Sequence, residues 1–135
     1  SSEYRWFLPE RIIYAELSGE ITTEDLHKGN EAISRFLYES PADSVHLIFD
    51  AHQMTGIAFN IVSVWGILSY LRHPRLKWVI MMGAKRTLVN TIKIFVSIIS
   101  AATRFNFYMC NHLIDAIAFL QKQDGSLPDL SSIQG

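Results

Sequence analysis

Asp50 and His52 are the two side chains of this sequence whose types and spacing best suit acid–base chemistry. They follow the apolar run of residues 45–49, which predicts a buried parallel strand, and ligands of open α/β sheets gather at the carboxyl ends of such strands. A carboxylate beside an imidazole can exchange protons near neutral pH. No nucleophile lies nearby in the sequence except Thr55, so an acid–base enzyme is the third hypothesis and a solvated loop is the simpler interpretation.

Cys110, His112 and Asp115 are a second set with the residue types of a nucleophilic triad. Such triads normally assemble from distant segments, and a single cysteine at a strand end is more often packed than reactive. We therefore predict no catalytic residue.

The segment Gly83-Ala84-Lys85-Arg86-Thr87 joins a predicted strand to a predicted helix. Lys85, Arg86 and Thr87 at a helix N-terminus could hold a phosphate or a phospholipid headgroup. The segment lacks the Walker spacing, so a nucleotide phosphate loop is not expected and a basic surface turn is the simpler interpretation. The five histidines show no paired ligand spacing, so we predict no metal and no cofactor.

The composition indicates one globular domain with more apolar surface than its size requires. Hydrophobic residues make up 49% of the 135 residues and charged residues 19%, which excludes intrinsic disorder and favours a subunit contact or a ligand cavity. The net charge of −1 and the absence of a basic stripe argue against nucleic-acid binding. The single Cys110 excludes a disulfide framework, and a cytoplasmic location is the simplest expectation.

Two features bear on membranes. The N-terminus lacks the basic region and apolar run of a signal peptide. Residues 51–71 carry no formal charge, but their continuous apolar part, about residues 57–71, is shorter than the roughly 20 residues that a membrane span needs. We therefore predict a core helix there and no membrane span.

The order of predicted elements is typical of an α/β fold. The predicted strands cover residues 4–8, 12–17, 45–50, 77–82 and 105–109, with a turn at 18–20 and a loop at 51–56. The first helix begins at a capping box, Thr22 to Asp25, and the others cover residues 58–71, 87–102 and a stretch after Asn111. This predicts a mostly parallel sheet of four to five strands with about four helices, in a domain of residues 1–123 with a flexible C-terminal tail at 124–135.

The two predicted helices at residues 58–71 and 87–102 are apolar on nearly every side. A helix without a polar face must bury more than one side, so these two could share one apolar patch. Burial in a homodimer is the commonest solution. Alternatively, the helices could enclose a pocket near Trp65 and Phe95 that carries a small apolar ligand or lipid, with Lys85 or Arg86 at its headgroup.

Two short motifs, in this order of elements, resemble landmarks of the STAS domain. They are Leu17-Ser18-Gly19-Glu20-Ile21-Thr22, which leads into the first helix, and Leu47-Ile48-Phe49-Asp50, which closes the following strand. The resemblance covers roughly residues 4–123 and is nearest to stand-alone bacterial proteins similar to anti-sigma-factor antagonists. It implies a superhelix of strand–helix units, a fold class shared with CRAL-TRIO lipid-carrying domains, and a regulatory role without catalysis.

The antagonists carry a phosphorylated Ser or Thr in an Asp-Ser-x-Gly-like motif after the central strand. The nearest equivalent here is Thr55-Gly56, where Met54 replaces the Asp, so an ordinary helix cap is the simpler role for Thr55. Asp50 matches a family landmark, and bonding of loop amides is its simpler role.

The leading hypothesis is a non-enzymatic cytoplasmic regulatory module that binds a regulatory protein partner and forms a homodimer. It would act through the loop at 51–56 and the two apolar helices. The candidate interaction or ligand residues are Asp50, His52, Thr55, Gly56, Phe59, Trp65 and Phe95, and the candidate anion or headgroup residues are Lys85, Arg86 and Thr87.

Overall fold

This computed structural model describes residues 1–131, except for the side chain of Trp65. Within these residues five strands form one sheet in the order β1-β2-β3-β4-β5. The strands are β1 (Ser2–Leu8), β2 (Ile12–Thr22), β3 (Val45–Ala58), β4 (Leu76–Met82) and β5 (Asn106–Cys110). The helices of this part are α1 (Thr23–Glu39), α2 (Arg86–Ala102) and α3 (Leu113–Gln123). β1 is antiparallel to β2, and the other neighbouring strands are parallel. The predicted α/β class and mostly parallel sheet are confirmed, but the described chain has three α-helices where about four were predicted.

Each face of the sheet has its own apolar core, because successive side chains of a strand point to opposite faces. Ile13 and Leu47 face α1, α2 and the segment between β3 and β4, whereas Ile12 and Ile48 face α3. All four of these side chains are fully buried. The near-continuous apolar run of β3 is therefore explained by cover on both faces, as predicted.

α1 begins at the predicted capping box. The hydroxyl of Thr22 accepts a hydrogen bond from the amide of Asp25 at 3.2 Å, and the carboxylate of Asp25 accepts one from the amide of Thr22 at 2.9 Å. The helix ends at Glu39, and its C-cap Ser40 is extended because it precedes Pro41 and a residue before a proline disfavours the helical conformation.

The predicted loop at 51–56 and helix at 58–71 are both wrong. β3 continues through Ala58, and two short 3₁₀ helices, Trp65–Ile67 and Ser69–Arg72, follow it. The apolar residues after Asp50 belong to a long strand because Ile57 pairs with Ile21 of β2, so tertiary pairing overrides the helical pattern. Beyond the strand, Asn60 forms a local turn by accepting a hydrogen bond from the amide of Val62 at 3.0 Å.

The predicted turn at 18–20 is also wrong, because β2 runs through it. Gly19 has a φ of 66°, and the pairing register with β3 shifts on either side of it. A glycine that adopts a positive φ allows a strand to bulge without ending. As a result, β2 and β3 extend past the other strands as a two-stranded ribbon of residues 18–22 and 53–58.

The segment after α3 packs against the sheet as far as it is described. Leu127 and Leu130 are 9% and 2% exposed and join the core beneath α3. A flexible tail was predicted from residue 124, but residues 124–131 contribute buried side chains to the domain; the end of the predicted tail, 132–135, lies outside the described residues.

No helix among the described residues is long and apolar enough to cross a membrane.

Candidate functional site

Asp50 and His52 lie together on the α3 face of the sheet, where β3 passes the end of β4. They are two residues apart on one strand, so both side chains leave the same face. The Oδ1 atom of Asp50 accepts hydrogen bonds from the His52 amide at 3.0 Å and from the His52 Nδ1 atom at 2.6 Å. The Oδ2 atom of Asp50 accepts one from the Tyr14 hydroxyl of β2. Both carboxylate oxygens are thus occupied from within the domain.

The His52 ring is held on its other sides by two turns. Its Nε2 atom lies 3.1 Å from the carbonyl oxygen of Asn111, between β5 and α3. The ring also lies against Gly83, where an added Cβ would overlap it. Gly83 has a φ of 75°, so this position favours glycine for its backbone as well as for its contact.

Burial and hydrogen bonding shift the pKa values of Asp50 and Tyr14 in this cluster. Burial alone raises the pKa of Asp50, but hydrogen bonds from Tyr14 and His52 outweigh burial and hold that pKa below its usual value. Burial, followed by the contact with Asp50, raises the pKa of Tyr14 above its usual value. At neutral pH the cluster therefore contains an ionised carboxylate and a neutral phenol.

The hydrogen-bonded cluster of Tyr14, Asp50 and His52, with Gly83 against the ring, has a structural role, and we call it the clamp. Both ring nitrogens of His52 lie against oxygen atoms of the domain, one on Asp50 at 2.6 Å and one on Asn111 at 3.1 Å, so neither is directed into open space. A general base needs a free lone pair directed at its substrate. The geometry instead ties β3 to β2 and to the turn before α3.

An open cleft of about 590 Å³ adjoins this clamp on the α3 side. Tyr14, Asp50, His52 and His112 form its polar side, and apolar side chains such as Ile114 complete it. Ile114 is 74% exposed at the rim.

Cys110, for which we predicted no catalytic role, is the last residue of β5, the strand next to β4. The Cys110 thiol lies 3.6 Å from the carbonyl oxygen of His112. Burial first, and the charge of Asp115 second, raise the pKa of the Cys110 thiol, which disfavours the reactive thiolate.

The remaining predicted site residues lie elsewhere. Thr55 and Gly56 belong to the β2–β3 ribbon, where Thr55 is exposed and Gly56 pairs with Glu20. Phe59 and Phe95 contact each other on the α2 side of the sheet, with ring centroids 5.4 Å apart. Trp65 was also predicted for this site, but its side chain lies outside what the structure describes.

Lys85 lies between the strands and α2, but its ammonium group is engaged. It donates hydrogen bonds to the carbonyl oxygens of His52 at 3.3 Å and Met54 at 3.0 Å. Arg86 and Thr87 are exposed in the first turn of α2. An anion site at these three residues stays a prediction, and within residues 1–131 no three His, Cys, Asp or Glu side chains are grouped to hold a metal ion.

A cavity of about 100 Å³ lies on the opposite face of the sheet, beneath α1 and α2. Its walls are almost entirely apolar and include Phe59 and Phe95, as well as Tyr70 of the second 3₁₀ helix. The sequence indicated the two phenylalanines but missed Tyr70, because the predicted helix at 58–71 gave no reason to place its hydroxyl group inside. The one available signal was a phenol within an otherwise apolar run.

Gly83→Ala is expected to lower the free energy of unfolding by about 2 kcal/mol, because the new methyl group must occupy a left-handed backbone position and displace the His52 ring. Urea unfolding measures the loss, and the imidazole NMR signals of His52 report the displacement. Gly125→Ala is the matched control, since a Cβ at Gly125 meets nothing within 4 Å. Equal stability of Gly83→Ala and the wild type would contradict the clamp.

Comparisons with known proteins identify the fold. No protein-family model and no curated protein matches the sequence. The unphosphorylated form of the anti-sigma factor antagonist SpoIIAA superposes with a TM-score of 0.56 at 12% identity, covering 90% of this chain and 98% of that one. A DUF3478-family protein of Shewanella loihica PV-4 with a SpoIIAA-like fold superposes with a TM-score of 0.59 at 16% identity, covering 89% and 92%. The chain has a STAS-like fold.

Proposed function

We propose that this STAS-like chain is a non-enzymatic cytoplasmic regulatory module that acts by binding proteins through the outer face of α2, and that its first partner is a second copy of itself. The fold supports a regulatory role by likeness to an anti-sigma factor antagonist. The engagement of both Asp50 oxygens and both His52 nitrogens within the domain supports a role without catalysis. The role needs no cofactor.

The observation that carries the proposal is the apolar outer face of α2. Ile94 and Ile98, one helical turn apart, are 58% and 37% exposed. Large apolar side chains exposed together on one helix mark an interaction surface more often than isolated ones do.

The charges of α2 are compatible with a two-fold contact. The helix has no acidic side chain, and Lys93 is its only charged residue between Arg86 and the C-terminus. In an antiparallel contact centred between Ile94 and Ile98, the two copies of Lys93 lie on opposite sides of the centre. The small side chains of Ser97 and Ala101 allow the helices to approach closely.

Light scattering tests this proposal. We expect the wild type to dimerise, and Ile94→Glu to weaken the dimer by about tenfold or more, because a carboxylate is desolvated in the contact. Ile114→Glu is the matched control, since Ile114 is also an exposed isoleucine on a helix, at 74% exposure, but lies on α3, across the sheet. A monomeric wild type at high concentration would contradict self-association, and a dimer indifferent to Ile94→Glu would exclude this face.

A second candidate function, binding of a small apolar ligand, is favoured by the cavity beneath α1 and α2. Its walls come from the sheet, both helices and the 3₁₀ segment, so a bound molecule would contact all of them. The hydrocarbon probe described below tests this candidate.

A further inference from the structure

Tyr70 is one of three polar residues, with Tyr4 and Asp25, in the described wall of the apolar cavity. The side chain of Asn30 on α1 fixes its position, because Asn30 Oδ1 accepts hydrogen bonds from the Tyr70 amide at 3.0 Å and the Ser69 hydroxyl at 3.1 Å. Tyr70 is 6% exposed and lines the cavity together with side chains such as Ile33, Leu71 and Phe95. A phenol is thus anchored by its backbone while its ring faces an apolar space.

The Tyr70 hydroxyl forms no hydrogen bond with the described part of the chain. Tyr70 contacts the Asn30 side chain through its backbone amide and not through its hydroxyl. No fully buried side-chain oxygen or nitrogen of the described residues lacks a partner, so the Tyr70 hydroxyl keeps a small accessible surface, at which the acceptor of a bound molecule can take its hydrogen bond. Burial first, and Tyr4 second, raise the pKa of Tyr70 above its usual value. The hydroxyl therefore keeps its proton and acts as a donor.

The charges around the cavity favour a neutral ligand. Of the described residues that line it, none is basic, and Asp25 is the acidic one. Burial alone raises the pKa of Asp25, but hydrogen bonds from Thr22 and the N-terminal ammonium group outweigh burial and hold it below its usual value. An anionic ligand would meet no basic side chain among the described lining residues, so burial of its charge is unfavourable.

We propose that the cavity binds one small neutral molecule with a compact apolar body and a single hydrogen-bond acceptor, such as a ketone or an ester, and that Tyr70 donates to that acceptor. This inference rests on the second candidate function and specifies its ligand. The volume of about 100 Å³ is smaller than the engineered cavity of about 150 Å³ that admits benzene, so a five-membered ring is a suitable body. Larger bodies require α2 to move outward, because Ile92, Phe95 and Ile99 of α2 form one wall.

Paired probes of equal shape test the assignment on the full chain. Cyclopentanone carries the acceptor and cyclopentane lacks it, and NMR titration of the isoleucine methyl groups measures the affinity of each. We expect Tyr70→Phe to weaken cyclopentanone binding by about tenfold while cyclopentane binding stays unchanged, since only one hydrogen bond is lost. Tyr38→Phe is the matched control, because Tyr38 on α1 is 82% exposed and should behave as the wild type.

The outcomes separate the inference from the function on which it rests. If both probes bind and Tyr70→Phe leaves both affinities unchanged, the Tyr70 contact is overturned and the apolar site stands. If neither probe binds the wild type, the apolar-ligand function fails and the inference fails with it. Butyrate binding more tightly than cyclopentanone would overturn the preference for neutral ligands.

Val96→Phe, which fills the cavity, should abolish binding of both probes. Unchanged binding would place the probes elsewhere and overturn the inference.

Discussion

Asp124→Ala is expected to lower the free energy of unfolding by about 3 kcal/mol, since the carboxylate is shared by a buried histidine and an arginine at the amino ends of the strands. Its Oδ2 atom accepts hydrogen bonds from His46 Nε2 at 2.7 Å, the Ser44 hydroxyl at 2.8 Å and Arg11 Nη2 at 3.1 Å. Removal of the carboxylate takes this acceptor from all three donors, of which Arg11 Nη2 keeps a hydrogen bond to the Ser126 hydroxyl at 2.7 Å.

His46 makes this loss large. It is 1% exposed, and its Nδ1 atom accepts the amide hydrogen of Trp78 at 3.3 Å. The proton of the neutral ring is therefore on Nε2 and is donated to Asp124. The side chains of Arg11 and Asp124 are 20% and 13% exposed, so water partly reaches the site and the expected loss is at the lower end of the range for broken buried pairs.

Urea unfolding at neutral pH measures the effect. Asp129→Ala is the matched control, because Asp129 lies on the same C-terminal segment but is exposed and accepts the local amide of Ser131 at 2.9 Å. We expect that control to unfold with the wild type. A stability of Asp124→Ala equal to that of the Asp129→Ala control would mean that the network does not hold the segment.

The fold was predictable where each element carries its own local pattern. The capping box at Thr22 fixes the start of α1, and the apolar run before Asp50 fixes the central strand, so neither depends on distant residues. Residues 51–71 were mispredicted because their structure depends on β2. Ile57 is in a strand only because Ile21 pairs with it, and Ile21 is available only because Gly19 lets β2 continue.

The site was predictable in its position but not in its partners. Asp50 and His52 share a strand face by their spacing alone, which the sequence states directly. The other two members are distant in sequence: Tyr14 is 36 residues from Asp50, and Gly83 is 31 residues from His52. No local pattern links them to Asp50 and His52. The Asp124 network joins residues about 80 apart, and the cavity depends on how side chains from every element on one face fill space.

The stability of the protein is expected to fall as the pH decreases below about 6.5, because of His46. Burial lowers the pKa of His46, and this outweighs the opposing effect of Asp124. At pH values between the pKa of His46 in the folded chain and its higher pKa in the unfolded chain, the unfolded chain binds a proton that the folded chain does not. The contribution of His46 to stability is therefore fully present above about pH 6.5 and is lost on acidification. One such proton gives a slope of at most about 1.4 kcal/mol per pH unit.

Asp124 extends the same trend to lower pH. Burial alone raises the pKa of Asp124, but hydrogen bonds from Ser126, His46 and Ser44 outweigh burial and hold it far below the usual value. A depressed carboxyl pKa contributes stability above the unfolded value of about 4, and that contribution is lost as the pH falls further. The wild type should therefore lose stability in two ranges, first below about pH 6.5 and again below about pH 4.

Unfolding midpoints from pH 7.5 to pH 3 separate the two contributions. His46→Gln should flatten the upper range, apart from a smaller contribution of the same sign from the more exposed His73, whose pKa burial and Arg75 also lower. His27→Gln, at an exposed position of α1, is the control and should keep the full slope. If stability instead rises from pH 7.5 to pH 5.5, the attraction between protonated His46 and Asp124 outweighs burial. The network would then be an ion pair rather than a neutral histidine donating to a carboxylate.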